Sequence, residues 1–367
     1  MHGLVALAVV RFGLQLSLGP EYDSNANRAE VVANVASPDR ATGSFLLRST
    51  ASGQLAWRSG GNLLRVSAGV GGKVFFNPAV ADQNVFVVQA AAEDRVRVTG
   101  FLHLALNADY YDAWQEPTEP FRHRDFRSGS AVARVYFVDR IGEVQLSGGY
   151  RGFQYKPDPD SDFEAVQASA NVITRQHLGR NADHELDIFA SYHFEYRDFA
   201  GVSQYNQCPL GAPISDDCLL PGRRRRDTFE EGGIELTYVG PLLVGLGYGA
   251  QLNTSNSFGQ SLLRNMLTLK LAIRLPFSLY ATLKAQLYIT KYLDPVLLDH
   301  IFNSQTFVTI DDENRNAVLV DLERPIASIG LSVNARYSVY TNELSSSNDS
   351  FFRQVIYLGL TYRAGAR

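Results

Sequence analysis

Few residues in this chain are arranged as catalysis requires. No Gly-x-Ser-x-Gly elbow occurs among its 367 residues, so the usual strand-to-helix serine nucleophile is missing. His184-Glu185-Leu186-Asp187-Ile188 begins like a zinc-protease motif, but Ile188 stands where the second histidine ligand must be. Asp23, Asn25 and Asn27 have the spacing of a calcium loop. Arg28, however, replaces the glycine of the sharp turn, and Asn34 stands where a bidentate glutamate is needed. His103 and His193 have no evident Ser or Asp partner. The expectation is no catalytic residue, no cofactor or cofactor-binding residue and no metal ligand, with a membrane-embedded hydrolase as a distant alternative.

The residue types do support oxidative and ionic chemistry. Cys208 and Cys218 are the only cysteines and share one polar segment. In an oxidising compartment they are expected to pair, which for so short a loop contributes about 2–3 kcal/mol; two unpaired loop thiols are the alternative. Arg223-Arg224-Arg225-Arg226 could meet lipid phosphates or an acidic polymer, although a solvated loop is the commoner explanation. Arg48, Arg65, Arg134, Arg151, Arg264, Lys270, Lys284, Arg336 and Arg353 recur on one phase of alternating segments. Fewer acids share that phase: Asp109, Asp187, Glu195, Glu235 and Asp321.

What must position these charges is a set of strands, because side chains alternate between two faces with a period of two. In Phe351 to Tyr362, Ile356, Leu358, Leu360 and Tyr362 fall on one face, and Arg353, Val355, Tyr357, Gly359 and Thr361 on the other. The same pattern recurs in Phe12, Leu14, Leu16 and Leu18, and in Leu186, Ile188, Ala190, Tyr192, Phe194 and Tyr196. No run approaches the ~18 apolar residues of a membrane helix. Charged residues are only 20% of the chain and hydrophobic ones 45%, as expected when apolar surface is spread along alternating strands. The net charge of −4 selects no partner class, and nothing points to nucleic acid.

The connections alternate between a few residues and many. Ser59 to Asn62, Gly240-Pro241 and Pro276-Phe277 are tight; residues 21–43, 112–128, 198–227 and 293–315 are long. This sorting, about sixteen strands and possibly eighteen if 293–315 hides a hairpin, predicts an all-β fold: one transmembrane, antiparallel, up-and-down β-barrel over residues 1–367. Short periplasmic turns and long outer loops belong to that architecture. Trp57, Phe137, Tyr238, Phe277 and Tyr362 sit at the short-turn ends, and Phe76, Tyr110, Tyr196, Tyr340 and Phe352 at the long-loop ends, as two interfacial belts would. The nine basic residues then line a wet, mildly basic lumen, the alternative being that they pair into a neutral network. Gly3 to Val10 makes a poor signal peptide, so residues 1–9 are either a strand extension or a signal remnant, and the natural start of the chain is open.

Two resemblances add to this reading. Tyr357, Gly359, Tyr362 and Ala364 resemble the C-terminal assembly signal of Gram-negative outer-membrane barrels, with Ala364 small where that signal prefers an aromatic and three residues trailing from Gly365. Glu21 to Arg28, with Tyr22-Asp23-Ser24-Asn25, resembles the opening of outer-membrane barrels that include the barrel domains of surface lipoprotein assembly modifiers and the stand-alone porins of polysaccharide export. Lipoprotein assembly modifiers carry an N-terminal helical-repeat domain that this sequence lacks, which favours the second group. That resemblance implies an outer-membrane location among its lipids, insertion by the barrel-assembly machinery, and passage of a secreted polysaccharide delivered by a periplasmic export protein. A general or anion-preferring diffusion porin is the alternative.

Overall fold

The computed structural model describes residues 9–27, 31–32, 41–115, 125–156, 158–178, 184–207, 218–293, 316–326, 329–341 and 349–365. Sixteen long strands form the body. These are β1 Val9–Asp23, β2 Ser44–Ser59, β3 Asn62–Phe75, β4 Val85–Arg97, β5 Leu102–Gln115, β6 Phe126–Val138, β7 Gly142–Tyr155 and β8 Phe163–His177. They continue as β9 Glu185–Asn206, β10 Leu219–Val239, β11 Leu242–Ser255, β12 Leu262–Leu275, β13 Leu279–Tyr292, β14 Asn316–Ile326, β15 Leu331–Thr341 and β16 Phe352–Gly365. Each pairs with its sequence neighbours and β16 returns to β1, which closes the barrel. All pairings are antiparallel, from Gly13 opposite Gly365 to Asp23 opposite Val355 along the seam. Because β13 pairs directly with β14, the count is sixteen; residues 294–315 lie outside the described residues. A separate two-residue ladder joins Val31–Val32 to Asp349–Ser350.

Closure leaves no unpaired edge, and the alternation then decides which face meets what. On β16, Ile356, Leu358, Leu360 and Tyr362 are exposed, whereas Arg353, Val355 and Tyr357 are buried. The exposed Leu, Val, Ile and aromatic side chains continue round the outside, so the apolar skin faces outward, and no second sheet covers it among the described residues. A skin of that kind is stable against hydrocarbon rather than water. Phe137, Phe277 and Tyr362 stand exposed at the short-turn end; Phe45, Phe76, Phe86, Tyr110, Trp114, Tyr196 and Phe352 stand exposed at the other. Tyr340 departs from the expected belt. It lies on the inward phase opposite Arg353 and is buried.

Other departures concern where strands stop. β1 runs on to Asp23, so Glu21 to Asp23 belong to the wall rather than to a connection. The segment 198–227, read from sequence as a long outer loop, is mostly strand. β9 continues to Asn206 and β10 resumes at Leu219. Ladder pairing with the flanking strands ends at Phe199 opposite Phe163 and at Asp227 opposite Ser255; beyond those points the two strands pair with each other, and Ala200 and Gln204 still bond Asp162 and Phe258 of the flanking connections. Arg224 and Arg226 therefore occupy strand positions facing Val202 and Asp198 rather than a solvated loop. Arg324 and Pro325 lie within β14, although proline often marks a turn. Residues 1–8 lie outside the described residues, and Val9 already belongs to β1.

Candidate functional site

The inward face is the candidate site. Its buried side chains gather at the long-loop end in two arcs, and the first crosses the seam. Asp23 is fully buried and accepts a fork of hydrogen bonds from Arg353, Nε to Oδ1 at 2.9 Å and Nη2 to Oδ2 at 2.5 Å. Glu21, one turn of the pleat away, accepts from Lys73 Nζ at 2.9 Å and faces Arg48 at 3.5 Å. The Tyr357 ring lies between Arg48 and Arg336, 5.6 and 5.9 Å from their guanidinium carbons. Arg336 donates to Asp321 at 2.7 Å. Desolvated charges of this kind are held only where partners are close and well aligned.

The calcium-like trio belongs to the same arc. Asn25 donates its own backbone N–H to Asp23 and its side-chain amide to Phe352 O at 3.2 Å, and Asn27 Oδ1 accepts from Thr42 N at 2.9 Å. Ser24 exchanges hydrogen bonds with the Gln354 backbone through both its N–H and its hydroxyl. The Tyr-Asp-Ser-Asn stretch thus ties the first strand to the last. Behind it, Ala26, Leu46, Phe75 and Val80 form a small buried cluster, Val80 coming from the 3-10 segment Pro78–Gln83.

The second arc is an aromatic row on consecutive strands. Tyr111, Phe126, Phe153, Phe163 and Phe199 follow one another with centroids 5.2, 5.5, 5.1 and 5.1 Å apart. Arg197 lies over Phe163 and Phe229, and Arg225 over Phe199 at 4.1 Å. Glu195, also buried, gathers Arg151 at 3.2 Å, Arg197 at 2.7 Å and His193 at 3.1 Å. Sequence alternation marks the phase of these rings, but their alignment depends on register between strands that only pairing reveals.

All nine expected lumen residues lie on the inward phase, though they do not act alike. Arg48, Arg151, Arg336 and Arg353 sit in the two arcs. Arg65 approaches Glu93 at 3.9 Å and Lys270 meets Glu235 at 3.0 Å. Arg264 is buried, donates to Thr290 Oγ1 at 3.0 Å and lies over Tyr288. Arg134 and Lys284 meet no acid among the described residues. His103 Nδ1 accepts from Arg95 at 3.1 Å; like His193, it bonds no serine hydroxyl among the described residues. Among the described residues no group of three His, Cys, Asp or Glu could hold a metal ion. Cys218 is disulfide-bonded; Cys208 lies outside the described residues.

The C-terminal residues have visible roles in closure. Tyr357 points inward with its ring over Gly359, and Tyr362 is exposed to the outside. A side chain at Gly19 would meet Leu358 O at 2.0 Å and Gly359 Cα at 2.5 Å, so the two glycines let the backbones approach at the seam.

No protein-family model and no curated protein matches the sequence. Solved structures do. OccAB1 of Acinetobacter baumannii is 12% identical with a TM-score of 0.51 over 96% of both chains. The outer membrane protein OpdK of Pseudomonas aeruginosa is 12% identical over 97% of this chain and 99% of that one, with a TM-score of 0.46. OmpT of Vibrio cholerae is 12% identical over 99% of each, also at 0.46. With its outward apolar skin and inward charges, the chain is a sixteen-stranded β-barrel of the outer-membrane kind.

Proposed function

We propose that this barrel is a passive outer-membrane channel for small hydrophilic solutes. One observation carries the proposal: the sixteen-stranded wall turns its exposed apolar side chains outward, while its inner face holds solvent-exposed Gln54, Gln89, Asp109 and Lys284. A barrel of this strand number is wide enough to hold water, and fixed polar groups on the inner wall keep it wetted. The two packed arcs at the long-loop end support a constricted mouth, which suits small solutes better than a wide polymer bore. Selection in such a channel rests on the width of the mouth and on the groups that the inner wall presents.

Passage of a secreted polysaccharide is the second reading. It is favoured by two rows of inward positions across β16 to β5 that carry amides and hydroxyls, with no charged side chain between their ends. Reconstituting the folded chain in planar bilayers tests the first statement: discrete ohmic steps are expected, and folded protein that inserts without conducting would sink it. Deleting the gene separates the readings. Slower uptake of small solutes with normal polymer secretion is expected; lost secretion with normal uptake would favour the second.

A further inference from the structure

The inner wall is uneven. Over six adjacent strands, β16 to β5, the inward positions form two cross-strand rows in register. One reads Arg363, Gln15, Ser52, Gly69, Gln89, Tyr111; the other reads Gly365, Gly13, Gln54, Ser67, Ala91, Asp109. Neighbours within a row are about 4.8 Å apart, the strand spacing. Between the end residues there is no charged side chain, and the ends are themselves engaged, Arg363 with Glu323 and Asp109 with Ser130.

The glutamines lie flat. Gln54 covers Gly13, where an added Cβ would meet its Cγ and Nε2 at 3.1 Å, and Gln89 covers Gly69, with Nε2 at 2.9 Å. Small residues under long amides thus leave a groove of about 620 Å³ on the wall, within the range that holds a small-molecule ligand. The side chains of Gln54, Gln89, Ser52 and Ser67 make no hydrogen bond among the described residues, and all four are exposed to the lumen. An amide offers both a donor and an acceptor, and a hydroxyl does the same. Their natural complement is a solute with many hydroxyl groups and no net charge.

From this we propose that the sector is a saccharide-binding track, taking neutral sugar rings edge-on against the two rows. It rests on the reading of the barrel as a channel and names a class of solute for it. The charged arcs lie nearer the long-loop end of the wall, where Tyr111 ends one row and begins the aromatic one, so binding on the rows is a matter of replacing water bonds to amides with sugar hydroxyls, one ring after another.

The test uses the full chain in planar bilayers with maltohexaose as probe and polyethylene glycol of the same hydrodynamic size as control. Maltohexaose should interrupt the current at lower concentration than the control. The Gln54→Ala/Gln89→Ala double variant should raise its half-blocking concentration about tenfold while still migrating as folded protein before heating. Equal block by the two probes, or an unchanged half-blocking concentration in the variant, overturns the proposal. Calorimetric titration of the detergent-folded barrel with maltohexaose reads the same site without current. Absence of conductance would remove the channel reading, whereas absence of binding heat would remove this one.

Discussion

The buried pair of Asp23 and Arg353 shows how one ionic contact can carry the joint of a closed sheet. Both side chains are almost wholly withdrawn from water, so their attraction must offset a large desolvation cost, and removing one leaves the other stranded. Arg353→Met is therefore expected to destabilise the barrel by about 3–5 kcal/mol, and adding Asp23→Asn should recover a large part of that loss. Denaturant titrations of the folded barrel would check both; a double variant no better than the single would contradict the pairing argument. Gly19 is the second joint residue. In Gly19→Val the new side chain has backbone on every near side, so the seam must open. A cost of about 1–3 kcal/mol and a lower temperature of heat-induced gel shift are expected. In sequence Asp23, Asn25 and Asn27 looked like cation ligands with two wrong neighbours. Asp23 and Asn25 find partners on the last strand, Arg353 and Phe352, more than three hundred positions away, and no local spacing reports a contact of that range.

At the scale of the element, alternation was legible wherever a strand has lipid on one side, as in β16, β5 or β9. It failed where a strand leaves the membrane. The β9–β10 hairpin carries Pro221, Gly222 and an arginine run, all signals of a loop, yet pairing persists because the two strands continue a register already fixed below. Ladder pairing with β8 and β11 ends at Phe199 and Asp227, beyond which Gln204 bonds the Phe258 N–H and the Ser257 hydroxyl, so the projecting part should be separable. Replacing residues 203–222 by an Asn-Gly turn is expected to leave a barrel that still shows heat-modifiable mobility, and failure to fold would mean that the projection helps hold the wall. The connection between β7 and β8 makes a different prediction. Asp162 accepts the Tyr155 backbone N–H at 2.6 Å, but burial, reinforced by Asp158, raises its carboxyl above the ordinary value of 3.8. The folded state thus favours the protonated form, and stability falls as pH rises through the folded value. Asp162→Asn keeps the acceptor and removes the charge. It should raise the unfolding temperature slightly at pH 7 and make no difference at about pH 3, where both forms are neutral; a gain persisting in acid would place its cause elsewhere.

For the whole molecule, the question is whether the lumen charges add up to a field. Nine basic residues on the inward phase predicted a mildly basic channel, and it is strand phase alone that assigns them to one face. Their partners were not legible, because pairing across the wall depends on which strands are neighbours and in what register. In the folded chain Arg48, Arg65, Arg151, Lys270, Arg336 and Arg353 each face a carboxylate within 4 Å. Each such pair appears to a passing ion as a dipole, whose influence fades within a few ångströms. At physiological salt, screening over about 8 Å removes much of the remainder. Arg264 is buried against Thr290 and Tyr288, so what persists is the contribution of Arg134 and Lys284, and Lys284 lies opposite Lys270 in the β12–β13 ladder, where two like charges reinforce each other. The channel is accordingly expected to prefer anions only weakly, with a small reversal potential in a potassium chloride gradient that shrinks as salt rises. Lys284→Glu should carry it through zero towards cations, since it removes one unpaired positive charge and supplies Lys270 with a second acid. A strong anion preference unaffected by that substitution would mean that the paired charges, rather than the unpaired ones, set the field.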